Sequence, residues 1–239
     1  MPAFGTGGNG QGAIVAELKA VFLDHDGTLV DTEPFWIEAE SVLPARFGAA
    51  WTVEDSLAAV GLPMPVTARK MQEAGVPLEI DEIIYDLCGQ VIAMMDERGI
   101  PWLPGALELV EGLAAAGIPC AVVSNAWRQV VEKTTSALPA GVVQFILTGD
   151  EMVRAKPDPW PYAHAAEVLG VDPAGQVAIE DSLAGTLSAE AAGMRALVVP
   201  GVAPVPDAPG RSRTESLLNV TVETLRAIAA GEVLALPVR

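Results

Sequence analysis

The sequence predicts an α/β protein: a doubly wound parallel (Rossmann-like) sheet with an all-helical domain inserted after its first strand. Three observations carry this. From residue 104 onward, short apolar runs alternate with helical segments, the pattern of a parallel sheet covered on both faces. Residues 35–103 show helical periodicity and no competing strand pattern. Polar residues of catalytic type stand at the carboxyl ends of several apolar runs, the edge where open α/β sheets bind ligands.

Taken in order, residues 1–18 read as a flexible, glycine-rich tail. Its Gly5-Thr6-Gly7-Gly8-Asn9-Gly10 matches the dinucleotide fingerprint literally, but only Met1 to Phe4 precede it where a strand is required. It is therefore rejected as a cofactor site. Ala20-Val21-Phe22-Leu23 reads as a buried strand, followed at once by Asp24-His25-Asp26-Gly27-Thr28. Thr32 to Phe47 can form a helix, with Pro34 tolerable in its first turn. Segments Val53–Val60, Pro65–Ala74 and Ile80–Arg98 follow, broken at Gly61-Leu62-Pro63 and Gly75-Val76-Pro77. In the last of them Ile83, Ile84, Leu87, Val91, Met94 and Met95 recur at helical spacing.

The alternating part begins with helix Ala106–Ala116 and strand Pro119–Val123, then helix Arg128–Ala137 and strand Val142–Leu147. Helix Trp160–Leu169 precedes strand Gln176–Ile179, and helix Leu183–Ala192 precedes strand Arg195–Val199. A Pro-rich surface loop is expected at Gly201–Gly210 and a last helix near Thr214–Ala229. This divides the chain into a core domain, 19–34 and 104–239, and a helical insert, 35–103.

Composition narrows the function. A formal charge of −17 argues against nucleic acid and anionic membrane surfaces as partners, and requires that an anionic substrate be met by a local cation. Cys88 and Cys120 are too few for a disulfide framework or zinc cluster, no apolar run reaches membrane-spanning length, and the N-terminus lacks a signal-peptide plan. A cytoplasmic location is expected, and the sequon Asn219-Val220-Thr221 then carries no meaning.

At the carboxyl ends of the strands stand Asp24 and Asp26, then Ser124-Asn125, and Glu180-Asp181-Ser182, while Lys156-Pro157 follows the third strand. Right-handed crossovers keep such ends on one side of a sheet. In this order the residues resemble the haloacid dehalogenase-like superfamily, and the insert resembles its helical cap. Asp31-Thr32-Glu33-Pro34, Pro104-Gly105 and Ser182-Leu183-Ala184-Gly185 fit its phosphoglycolate phosphatase and β-phosphoglucomutase-like branch.

The resemblance implies a phosphatase acting on a small phosphorylated metabolite, a sugar phosphate or similar, through an aspartyl phosphate. Asp24 would be the nucleophile, and Asp26 would protonate the leaving oxygen and then activate water. Ser124, Asn125 and the loop through Thr28 would bind the phosphoryl group, with Lys156 against both nucleophile and phosphate. Mg²⁺ would be held by Asp24, the Asp26 carbonyl and Asp181, with Glu180 as a further ligand directly or through water.

Several points depart from that pattern or compete with it. His25 occupies a position that is usually apolar; strand alternation predicts a packed histidine facing away from the Asp24 and Asp26 carboxylates. A phosphomutase of the β-phosphoglucomutase type is the alternative, but its histidine and cap arginine are replaced by Trp36 and, on a looser alignment, Met64. A carbon–halogen dehalogenase would need neither Asp26 nor the Glu180-Asp181 pair. Arg69 and Lys70 are candidates for contacting the leaving group by charge alone.

Overall fold

The computed structural model describes residues 17–59 and 62–237. The glycine-rich segment with its fingerprint lies outside the described residues. Among the described residues seven strands form one sheet, all pairs parallel, in the order β3-β2-β1-β4-β5-β6-β7. They are β1 (Val21–Leu23), β2 (Cys120–Val123), β3 (Val143–Leu147), β4 (Val177–Glu180), β5 (Arg195–Val198), β6 (Ser212–Thr214) and β7 (Ala235–Leu236). Strand β1 lies between β2 and β4, with Phe22 opposite Ala121 on one side and Ala178 on the other.

Pleating sorts the β1 side chains onto two faces. Val21 and Leu23 join Val122, Ile179 and Leu197 beneath α5 (Ala106–Ala115) and α9 (Val222–Ala229). Phe22 points the other way, into a layer with Tyr162 and Ala165 of α7 (Trp160–Leu169) and Ala189 of α8 (Leu183–Ala191). Both faces are apolar because both are covered by helices. Each fully buried Leu, Ile or Phe contributes about 1.5–3 kcal/mol.

The insert is α1 (Glu33–Ala45), α2 (Val53–Ala59), α3 (Met64–Glu73) and α4 (Ile80–Arg98). Its core gathers Leu43, Met71 and the Ile83, Ile84, Leu87, Val91 and Met95 stripe of α4. A capping box between Glu79 and Glu82 starts α4, and Gly99 at φ +89° ends it. Val130 of α6 (Arg128–Thr135), a helix of the sheet domain, is buried in the same cluster, so the insert rests on α6. The two connections run side by side: Asp31 N–H donates to the Pro101 carbonyl at 2.9 Å, and Leu103 N–H to that of Leu29 at 2.9 Å.

The C-terminal reading needs correction. The last helix starts at Val222, not Thr214, because Thr221 and Thr224 cap each other's backbone and fix the start there. Residues Ser212–Thr214 instead pair with β5 as β6, Leu217–Asn219 makes one 3₁₀ turn, and β7 extends the edge. Strands this short carry too few residues for alternation to register.

Candidate active site

The site is built where β1, β2 and β4 end. Asp24 follows β1 directly, its N–H donating to the Ile179 carbonyl of β4 at 3.0 Å. Lys156 arrives from the turn before α7 with a fully packed side chain. Its Nζ donates to Asp24 Oδ1 at 2.6 Å, Glu180 Oε1 at 2.6 Å and the Val123 carbonyl of β2 at 2.8 Å. All three ammonium hydrogens are thereby used. Glu180 is fully buried; it also accepts from the Tyr162 hydroxyl through Oε1 and from Ser182 Oγ at 3.0 Å through Oε2.

Asp181 completes the group: one ligand oxygen from each of Asp24, Glu180 and Asp181 falls within 4.8 Å of the others. Two glycines make room for it, since a Cβ at Gly27 (φ +79°) or at Gly201 would collide with the Asp181 carboxylate. Burial first, and then the Glu180 charge, push the Asp24 carboxyl well above its ordinary range despite the opposing pull of Lys156. The same two causes push Asp181 up to about 7. Three carboxylates facing one ammonium make a site that lacks positive charge. An all-oxygen, carboxylate-rich set is what a hard divalent cation such as Mg²⁺ requires, so the residues fit one.

Asp26 is held separately. The Thr32 hydroxyl donates to its Oδ1, and Ser124 Oγ lies at 3.4 Å from its Oδ2. Ser124 in turn accepts the Ala126 N–H at 2.9 Å. Burial raises the Asp26 pKa, but His25, Thr32 and Ser124 together outweigh it and leave the carboxyl below its ordinary value.

The expectation for His25 is overturned. Its Nδ1 lies 3.1 Å from Asp26 Oδ2, while Nε2 meets Thr134 Oγ1 of α6 at 2.7 Å. Strand alternation fails because β1 ends at Leu23: the His25 carbonyl accepts N–H groups from Thr28, Leu29 and Val30, and this tight loop turns Asp26 back beside the ring.

The structure thus brings Asp24, Lys156, Glu180 and Asp181 into one group and sets Ser124 beside Asp26. Among the described residues no side-chain hydrogen bond joins Thr28 or Asn125 to that group; the Thr28 hydroxyl is buried without a partner, and Asn125 is exposed. Sequence reasoning missed Tyr162. The available signal was a tyrosine on the apolar face of a helix, whose hydroxyl needs a buried partner.

A carboxylate-rich site bearing one lysine, at the carboxyl edge of a parallel sheet and next to a helical insert, is what fold and geometry define. Residues 21–199 match the haloacid dehalogenase-like hydrolase family. The chain is 31% identical over 187 residues to the bifunctional riboflavin kinase/FMN phosphatase of Arabidopsis thaliana, covering 77% of this chain and about half (49%) of that protein. It is 31% identical over 193 residues to hexitol phosphatase A of Escherichia coli, covering 79% of this chain and 86% of the relative. Solved structures of CbbY from Rhodobacter sphaeroides, one with xylulose-(1,5)bisphosphate and one with phosphate, superpose with a TM-score of 0.76 at 28% identity, covering 87% of this chain and 99% of theirs. The chain belongs to the haloacid dehalogenase-like hydrolase family. Within it, this kinship makes it a phosphoric monoester hydrolase. Among the described residues no helix is long and apolar enough to cross a membrane.

Proposed function

We propose that the chain is a Mg²⁺-dependent phosphatase that hydrolyses a small sugar phosphate or related phosphomonoester through an aspartyl phosphate on Asp24. The observation that carries this is the division of labour between two carboxylates two residues apart. Asp24 is fixed by Lys156 within the acidic group, while Asp26 is held outside it by Thr32, Ser124 and His25.

In this reading Asp24, oriented by Lys156, attacks phosphorus in line and the bond to the leaving oxygen breaks. Asp26 gives that oxygen a proton, and as carboxylate it then takes one from the water that attacks the aspartyl phosphate. Resting below its ordinary pKa, Asp26 needs its proton affinity raised for the first step; the negative charge of a bound phosphoryl group acts in that direction. Lys156 neutralises charge on nucleophile and phosphate alike. Ser124 and the amides of the loop after Asp24 and of Asn125 bind phosphoryl oxygens. Asp24, Asp181 and the Asp26 carbonyl would hold the metal, with Glu180, whose carboxylate also meets Lys156, Tyr162 and Ser182, as a further ligand directly or through water. When bound, the metal supplies charge neutralisation at the phosphoryl group.

The phosphatase reading is favoured over a mutase because Trp36 and Met64 pack against the apolar core of the insert rather than offering a second anion site. Hydrolysis of p-nitrophenyl phosphate should require Mg²⁺ and stop in chelator. Asp24→Asn should lower turnover by about a thousandfold or more, and rapid quench should trap acid-stable phosphate on the wild-type chain but not on this variant. Full activity of Asp24→Asn would overturn the nucleophile; full activity in chelator would overturn the metal.

A further inference from the structure

We infer that His25 is a positioning residue for the acid–base carboxyl of Asp26, tying its orientation to helix α6. The inference rests on the reading of Asp26 as the proton donor to the leaving group.

The Thr134 hydroxyl has one hydrogen, and it is donated to the Val131 carbonyl at 2.9 Å within α6. Thr134 Oγ1 can therefore only accept from the imidazole, so His25 Nε2 carries a hydrogen and donates it across 2.7 Å. The ring plane is fixed from the α6 side. The opposite ring nitrogen, Nδ1, is buried, has no aligned hydrogen-bond partner among the described residues, and lies 3.1 Å from Asp26 Oδ2. Thr32 holds the other oxygen, Oδ1. Gripped at one oxygen by Thr32 and flanked at the other by a ring that cannot turn, the carboxyl has one rotation about its terminal bond. That torsion is otherwise broad and soft. The side chain is wholly buried, and for packing alone an apolar residue would fill the space without an imidazole N–H to satisfy. The anchor is also not arbitrary: Val130, four residues before Thr134, is buried in the core of the insert. The helix that steadies Asp26 is the one on which the insert rests.

A proton donor that is mis-rotated matters only where the leaving oxygen needs its proton. The test is kcat/KM, which reports the steps through phosphoryl transfer, on p-nitrophenyl, phenyl and benzyl phosphate. These have similar shape but increasingly poor leaving groups. For His25→Phe the p-nitrophenyl value should stay within about threefold of wild type, while benzyl phosphate should fall by about fiftyfold, within the range that general acid catalysis supplies. Thr134→Val, which removes only the remote anchor and keeps the volume, should show the same gradient at about fivefold to tenfold on benzyl phosphate. It reads out the inference even if His25→Phe fails to fold. His25→Asn, whose amide reaches the Nδ1 position, should recover part of the loss. Asp26→Asn is the reference and should give the steepest gradient. If it does and the His25 and Thr134 variants lose activity equally on all three substrates, or on none, the inference is wrong. If Asp26→Asn itself shows no gradient, the assignment of Asp26 as acid fails instead.

Discussion

The sheet edge and the helical insert both bury carboxylates, by opposite means. At the edge, Asp24 and Glu180 share one ammonium, and every remaining Glu180 contact is a hydroxyl donor. In the insert, Glu40 of α1 is only 7% exposed, and no ion pair to it is present among the described residues. Burial pushes its carboxyl up to about 7, with the Ser56 hydroxyl pulling back and Glu33 adding to the rise. Ser56 itself accepts the Trp51 indole N–H at 2.9 Å. A carboxylate paired with a cation is fixed in place. An uncompensated one is free to pick up a proton, and the insert tolerates that because no reacting atom depends on it.

The sharpest way to break the contrast is Lys156→Met, which keeps the volume and leaves two buried carboxylates without their cation. Breaking a buried pair in this way costs about 3–5 kcal/mol, read by denaturant unfolding, and millimolar Mg²⁺ should restore part of the loss if the acidic group takes a metal. A loss below about 1 kcal/mol would mean that the edge is no more compensated than the insert.

Glu40→Gln tests the other side. In the unfolded chain the carboxyl titrates near 4.5, and in the folded chain near 7. Between those values the folded state keeps a proton that the unfolded state has released. The stability tied to Glu40 is therefore full below about 4.5 and lost as pH rises through 7. The wild type should lose roughly 3 kcal/mol across that window from this group, an upper bound from the linkage relation. The Gln variant should show a flatter slope between pH 5 and pH 8 and be the more stable of the two at pH 8. An unchanged slope would sink the idea.

The smallest effect belongs to a partly exposed pair. Lys133 of α6 meets Asp96 of α4, where sheet domain and insert touch, with Asp96 open to solvent and Lys133 half-buried. Lys133→Met should change stability by less than about 1 kcal/mol and leave hydrolysis of p-nitrophenyl phosphate unchanged. A larger loss would show that contact to be buried in effect.

Much of this was legible in the sequence, for a definite reason. Strands β1 and β2 are continuous apolar runs followed by a polar residue, Asp24 or Ser124, β4 is one ending in Glu180, and α4 matches its predicted Ile80–Arg98 limits because its stripe spans more than three turns. That Asp24, Lys156 and Glu180 meet at one edge follows from parallel topology, which needs no knowledge of side-chain packing. His25 and Tyr162 were not legible in the same way. The first depends on where a three-residue strand stops and a tight loop begins; the second depends on which hydroxyl finds which carboxylate across two layers. Periodicity carries neither. Strands β6 and β7 escaped because two or three residues at an edge are held by the neighbouring backbone rather than by any pattern of their own.

The single ammonium of Lys156 touches groups at the ends of three different strands, and its partners lie 132, 33 and 24 residues away along the chain. Contacts so distant in sequence are among the last a chain can close, since the intervening loops must first be ordered. Asp24 is made early on the ribosome and must wait for the second half of the chain before its neighbour of opposite charge exists. Catalytic competence is therefore a report on the pairing of β1 with β2 and β4. A nascent, truncated or misregistered chain has no half-working version of this centre, and so has little means of acting on metabolites before its fold is complete.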